Sequence, residues 1–193
     1  MLLVRCFHLM RNPMQSARPS LASLALLHVP FYTGFAFAAQ YSLAPVSLIG
    51  LLLGILLVWI SVIDLDRFEI PDTASLMLAL SGLCAALLDQ SPIIDRLVAG
   101  VVWPLIFWSV AALYGRLRGW HGLGFGDVKL MVGIGLWLGL AQTALAVLAA
   151  ALAGIVMIVV QRWNQSKPAQ KIGTSAVAFG PFLCLSTWVI WIF

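Results

Sequence analysis

Apolar residues run through this chain in long blocks divided by short polar breaks. Crossing about 30 Å of hydrocarbon takes ~20 apolar residues in a helix that rises ~1.5 Å per residue. Seven stretches approach that length: residues 20–39, 43–63, 73–89, 96–115, 128–140, 142–160 and 174–192. The pattern predicts an all-α, polytopic transmembrane bundle of about seven spans. His28 and Pro30 interrupt the first stretch. The fifth is short and carries Gly133, Gly135 and Gly139; it either extends back through the glycine-rich turn before it or runs on into the sixth with little loop. No repeat or domain boundary stands out. Residues 1–19 read as a cytosolic tail and residues 20–193 as one transmembrane domain.

Composition agrees with lipid as the solvent. The 193 residues are 62% hydrophobic and 9% charged, against roughly 25% charged in soluble domains. The net charge of +4 does not point to nucleic acid, because the basic residues lie between the apolar blocks rather than on one face. With a cytosolic N-terminus, alternating crossings put Arg5, Arg11, Arg18, Arg67, Arg116, Arg118, Lys129, Arg162, Lys167 and Lys171 inside. They leave Arg96 outside. That asymmetry follows the positive-inside rule, as expected of a multi-pass inner-membrane protein with a cytosolic N-terminus. Cys6, Cys84 and Cys184 form no C-x-x-C pair, and the last two read as small buried hydrophobes.

Acidic residues gather at two breaks, both mapped to the cytosolic face. The first is I63-D64-L65-D66-R67-F68-E69-I70-P71-D72, and the second is G122-L123-G124-F125-G126-D127-V128-K129-L130. Asp64 closes an otherwise apolar helix, where an ionisable group is costly and marks a polar cavity. Asp66, Arg67 and Glu69 read as a solvated interfacial loop, with Pro71 and Asp72 opening the third span, Asp72 as a cap. Gly124 and Gly126 allow positive φ or close backbone approach beside Asp127. Asp127 reads either as a carboxylate reaching a facing helix or as a simple helix cap. Lys129 reads as a snorkelling or topology residue.

Two carboxylates at a half-buried site have a specific chemical use. One, ionised, takes a proton from water attacking a carbonyl; the other, protonated, polarises that carbonyl and helps the amine leave. Such hydrolysis requires no metal, no cofactor and no covalent intermediate. His8, His28 and His121 form no close metal constellation, and neither G-x-S-x-G nor Ser-x-x-Lys occurs.

These two breaks resemble the motifs of the prepilin peptidases, membrane aspartic proteases of the G-x-G-D type. That family pairs an inner-face aspartate, followed by I/L-P-D or I/L-P-N, with a second aspartate in G-x-G-D-x-K-L. Here Asp64 precedes Ile70-Pro71-Asp72, and Asp127 ends Gly124-Phe125-Gly126-Asp127 before Lys129-Leu130. A later stretch, A178-F179-G180-P181-F182-L183, is similar to the family's closing P-F-G-P-F/Y-L, with Ala178 in place of its first proline. The resemblance implies that Asp64 and Asp127 are the catalytic pair and that Asp66, Asp72, Gly124, Gly126 and Lys129 support them. On spacing alone Asp66 rivals Asp64. It further implies a prepilin or pseudopilin precursor as substrate, cut behind a short basic leader at the cytosolic face. Many relatives also N-methylate the new terminus and carry paired C-x-x-C motifs; the chain shows no such pairs and reads as a short form. The competing readings are a small proton- or cation-coupled transporter using the same aspartates, and an inactive scaffold of a pilus or secretion assembly. Midplane carboxylates and repeated halves would mark the transporter.

Overall fold

A computed structural model describes residues 44–88, 92–118, 124–163 and 179–193. They form six helices: α1 (Ala44–Arg67), α2 (Asp72–Leu88), α3 (Ile93–Arg118), α4 (Phe125–Leu138), α5 (Leu140–Trp163) and α6 (Gly180–Ile192). The protein is an all-α membrane protein. The sequence predicts about seven crossings; among the described residues three helices are long and apolar enough to span, over Ile49–Arg67, Ile93–Leu117 and Leu140–Val160. The other three have 17, 14 and 13 residues. At ~1.5 Å per residue they fall short of a bilayer core of about 30 Å. The predicted segment 20–39 and the tail 1–19 lie outside the described residues.

The short fifth segment resolves in both of the ways its sequence allowed. Helix α4 starts at Phe125 and so takes in Gly126 and Asp127, and Gly139 alone separates it from α5. Gly139 has φ +80°, a left-handed conformation that glycine adopts without steric cost. Its N–H donates to Gly135 O at 2.8 Å, ending α4. The next helix opens under a cap borrowed from α3, where Asp95 Oδ2 accepts the Leu140 N–H at 3.0 Å. Trp103 Nε1 donates to Leu140 O at 3.2 Å from the same helix.

Helix α4 is the centre of the bundle. It is buried at Asp127, Val128, Leu130, Met131 and every residue from Gly133 to Leu138, as expected of a helix apolar on all sides. Helices α2 and α3 flank it at close range through its glycines. A Cβ on Gly133 would meet Leu78 Cγ at 2.7 Å, and one on Gly135 would meet Ala99 O at 2.6 Å. Small residues of this kind let helix backbones approach where no hydrophobic drive operates between helices in lipid. Trp137 spans from α4 to α2, donating Nε1–H to Leu78 O at 3.1 Å and Ser81 Oγ at 3.2 Å. On α6, Trp188 and Trp191 stack at 5.6 Å and lie over Gly54 and Gly50 of α1.

These contacts fix helix direction. Leu78 on Gly133 and Gly82 against Trp137 make α2 parallel to α4, whereas Gly139 beside Asp95 and Gly135 beside Ala99 make α3 antiparallel to it. Gly54 with Trp188 and Gly50 with Trp191 make α6 antiparallel to α1. One end of the bundle therefore gathers the C-termini of α1 and α3 and the N-termini of α2, α4 and α6. Outward faces are apolar, with Leu105, Ile106 and Leu113 on α3 and Leu148, Leu152 and Ile155 on α5 exposed.

The two kinds of helical glycine separate in a stability measurement. Gly135→Ala forces α3 and α4 apart and should destabilise the protein by about 1–3 kcal/mol. Gly154 has nothing within 4 Å of its missing Cβ, so Gly154→Ala should be neutral or stabilise by up to ~1 kcal/mol through helix propensity. Thermal unfolding in detergent micelles checks both.

Candidate active site

The last turn of α1 sets the first carboxylate. The helix ends at Arg67, and Phe68 adopts φ +54°, the left-handed conformation of a helix C-terminus that glycine usually fills. The Phe68 N–H closes the turn on Asp64 O at 3.0 Å. Asp64 therefore lies at the negative end of the α1 dipole, an unfavourable place for an anion. Helix α6 offsets this. Its first residue, Gly180, donates its backbone N–H to Asp64 Oδ2 at 3.1 Å, so the positive end of a second helix faces the carboxylate. A Cβ on Gly180 would stand 2.5 Å from that same oxygen. Glycine is what admits the approach.

The second carboxylate, Asp127, sits in the first turn of α4. Its own N–H bonds Gly124 O at 3.1 Å. The helix-cap reading of Asp127 fails, because the N-cap residue is Gly124 and no side chain caps the helix. Asp127 is buried, with 8% of its surface exposed, as is Asp64 with 6%. The two carboxylates lie within electrostatic reach of each other. Neither has a cationic partner among the described residues.

Near both lies Cys184 of α6, one turn after Gly180. Its thiol is fully buried, contacts the Ser61 hydroxyl and feels both carboxylates. The sequence reading of Cys184 as a small buried hydrophobe holds, but it did not place the thiol beside the carboxylates. The signal was spacing: Cys184 follows Gly180 by four residues and Ser61 precedes Asp64 by three, which puts each pair on one helix face.

The other acidic candidates separate cleanly. Asp66 faces outward beside Arg67, Nε to Oδ2 3.8 Å, and is not brought to the site. Asp72 opens α2 and, rather than capping it, accepts an ion pair from Lys129 Nζ at 2.5 Å. Lys129, expected to snorkel, instead spans from α4 to α2 and lies 5.0 Å from the Phe125 ring centroid. Of the two glycines, Gly124 is extended at φ −68° and uses no left-handed freedom. Gly126 serves close approach: its missing Cβ would be 3.0 Å from Ile70 Cβ. His121 and Ala178 lie outside the described residues.

A membrane-embedded helical bundle with two buried carboxylates converging at one end from separate helices defines the class. The chain belongs to the type IV leader peptidase family, whose model matches residues 51–159. A prepilin leader peptidase/N-methyltransferase of Aeromonas salmonicida is 32% identical over 149 residues, covering 72% of this chain and 48% of the relative. The protein of that description from Aeromonas hydrophila is 33% identical over 149 residues, 72% of this chain and 49% of the relative. Its counterpart in Neisseria gonorrhoeae is 31% identical over 167 residues, 84% of this chain and 55% of the relative. The chain thus spans about half the length of the curated relatives it matches. No solved structure matches it significantly.

The seating of Asp64 on α6 can be tested without any substrate. The built Cβ of Gly180 lies 3.5 Å from Asp64 Cβ, at the short edge of the ~3.5–4.5 Å range of disulfides. With Cys6, Cys84 and Cys184 replaced by alanine, Asp64→Cys with Gly180→Cys should cross-link under mild oxidation, read by mass spectrometry. Free thiols in the folded protein would contradict the placement.

Proposed function

We propose that this chain is an aspartic endopeptidase that cuts the leader from prepilin or pseudopilin precursors at the cytosolic face of the inner membrane. The observation that carries the proposal is the burial of Asp64 and Asp127 within each other's field, neither having a cationic partner among the described residues. Two like charges in such a place cannot both be ionised cheaply, so the pair holds one proton. The ionised member accepts a proton from water as the oxygen attacks the scissile carbonyl. The protonated member donates to the carbonyl oxygen. As the C–N bond breaks, the first member passes the proton it took from water to the departing amine, and the second regains a proton from the collapsing gem-diol. The water supplies the hydroxyl of the new acid, and the proton returns to the pair. The titration belongs to the pair rather than to either aspartate.

Orientation follows from the charges at the aspartate end. Arg67 ends α1, Arg116 lies in the last turns of α3 and Lys129 in the first turns of α4, while Arg96 sits beside Gly139 at the opposite end. Positive residues favour the cytosolic side, so the site faces the compartment in which a basic leader waits. The substrate class comes from the relatives, prepilin leader peptidases/N-methyltransferases, and concerns their peptidase activity. Placement also weighs against a transporter, since the carboxylates lie at helix ends rather than at the midplane.

In a cleavage assay with purified protein in detergent and a prepilin substrate, Asp64→Asn and Asp127→Asn should each lose at least about 100-fold in rate. Asp66→Asn should stay near the parent. Retained cleavage by either buried-site variant would remove that residue from its role. Loss of proton or cation flux across liposomes, with no peptide cut by the parent, would favour the transporter.

A further inference from the structure

Helices α1 and α4, which carry the two carboxylates, do not pack against each other; α2 and α6 lie against both. The separation of Asp64 and Asp127 is therefore set by whatever ties the end of α1 to the start of α4. On one side that tie is the Gly180 N–H on Asp64, with α6 packed on both helices. On the other side it is the turn from α1 to α2. Ile70 of that turn seats on Gly126, the residue before Asp127, and Asp72 at its end pairs with Lys129, two residues after it. The two contacts bracket Asp127 along the chain.

We propose that the Asp72–Lys129 ion pair, with Ile70 seated on Gly126, is a latch that holds Asp127 at working distance from Asp64. Lys129 and Asp72 are positioning residues: they touch neither carboxylate and act by holding the first turn of α4 against the α1–α2 turn. The inference rests on the peptidase reading and deepens it. The pair lies on the surface, with Lys129 35% and Asp72 76% exposed at their side chains, and exposed ion pairs contribute little to global stability. Positioning is different in scale, because a displacement of about 1 Å at a reacting pair can cost ~100-fold in rate. A latch therefore predicts a large loss of turnover with little loss of fold.

The test is a double-mutant cycle in the full chain, purified in detergent, with steady-state cleavage of a prepilin substrate. Lys129→Ala and Asp72→Ala should each lower kcat by ~10–100-fold with KM changed less than about threefold. The double alanine variant should fall no further than either single one. Exchanging the charges, Asp72→Lys with Lys129→Asp, should recover most of the loss, and Lys129→Arg should stay near the parent. Additive losses, no recovery on exchange, or a raised KM at unchanged kcat would overturn the latch, since the residues would then act singly or on the substrate. A second readout needs no catalysis. With the native cysteines replaced, nitroxide labels at Phe68→Cys and Phe125→Cys should give one narrow distance, broadened by Lys129→Ala and narrowed again by the exchange. An unchanged distribution would overturn the latch whether or not the parent cleaves, whereas loss of cleavage in Asp64→Asn alone bears on the catalytic reading.

Discussion

Two carboxylates are held inside an apolar bundle with no cationic partner among the described residues, and the packing at that end of the bundle is arranged around that constraint. Taking an ionised carboxylate out of water costs several kcal/mol even after local relaxation. A hydrogen bond to a charged group returns about 1.5–3 kcal/mol, and Asp64 receives one, from Gly180. One bond at one carboxylate does not offset two buried charges. Sharing a proton removes one of the charges, and the positive ends of α6 and α4 face what remains. The peptidase proposal asks for the same state that burial favours, one carboxylate charged and one neutral.

That demand explains why the site sits where helices begin. Free backbone N–H groups exist only in the first turn of a helix, so a carboxylate needing a backbone donor must meet an N-terminus. Helices α2, α4 and α6 all start at this end, and each is shorter than the three that span fully. The glycines follow from the same need. Gly180 lets a backbone N–H reach Asp64, and Gly126 lets Ile70 press onto the turn that carries Asp127. Deeper in the bundle, Gly133 and Gly135 bring α2 and α3 onto α4, so the helix bearing Asp127 has little room to shift. The buried hydroxyls near the site stay local, with Ser61 donating to Leu57 O at 2.7 Å and Ser186 to Leu183 O at 3.0 Å. Each donates within its own helix rather than to a carboxylate.

The apolar blocks were legible because lipid-facing and protein-buried residues are both apolar, and for the same reason hydropathy alone does not separate a full crossing from a helix packed inside the bundle. The block 128–140 was legible as short, but the burial of its apolar residues in protein rather than against lipid was not. Asp64 and Asp127 were legible because each charge interrupts such a block. What stayed hidden joins residues far apart in the chain. The Lys129–Asp72 pair bridges 57 positions and the Gly180–Asp64 bond 116, separations at which local pattern carries no information. The Asp95 cap on α5 and the left-handed Gly139 were hidden for a related reason: one glycine among three in a short apolar run does not announce which of them turns the chain.

The family match and the physical site do not have the same boundaries. The matched stretch, 51–159, contains Asp64, Asp72, Gly126, Asp127 and Lys129, and so both carboxylates and the contacts between their turns. It leaves out Gly180 and Cys184, which the fold returns to the centre of the site. A helix N-terminus is needed to face Asp64, because α1 presents its own negative end there, and within the matched stretch α2 and α4 are already engaged with Ile70, Lys129 and Asp127. The donor therefore comes from beyond it. The F-G-P-F segment, which on sequence alone had no chemistry to perform, is the part that completes the charge arrangement: its glycine gives the backbone access and its proline, at the start of α6, needs no N–H of its own.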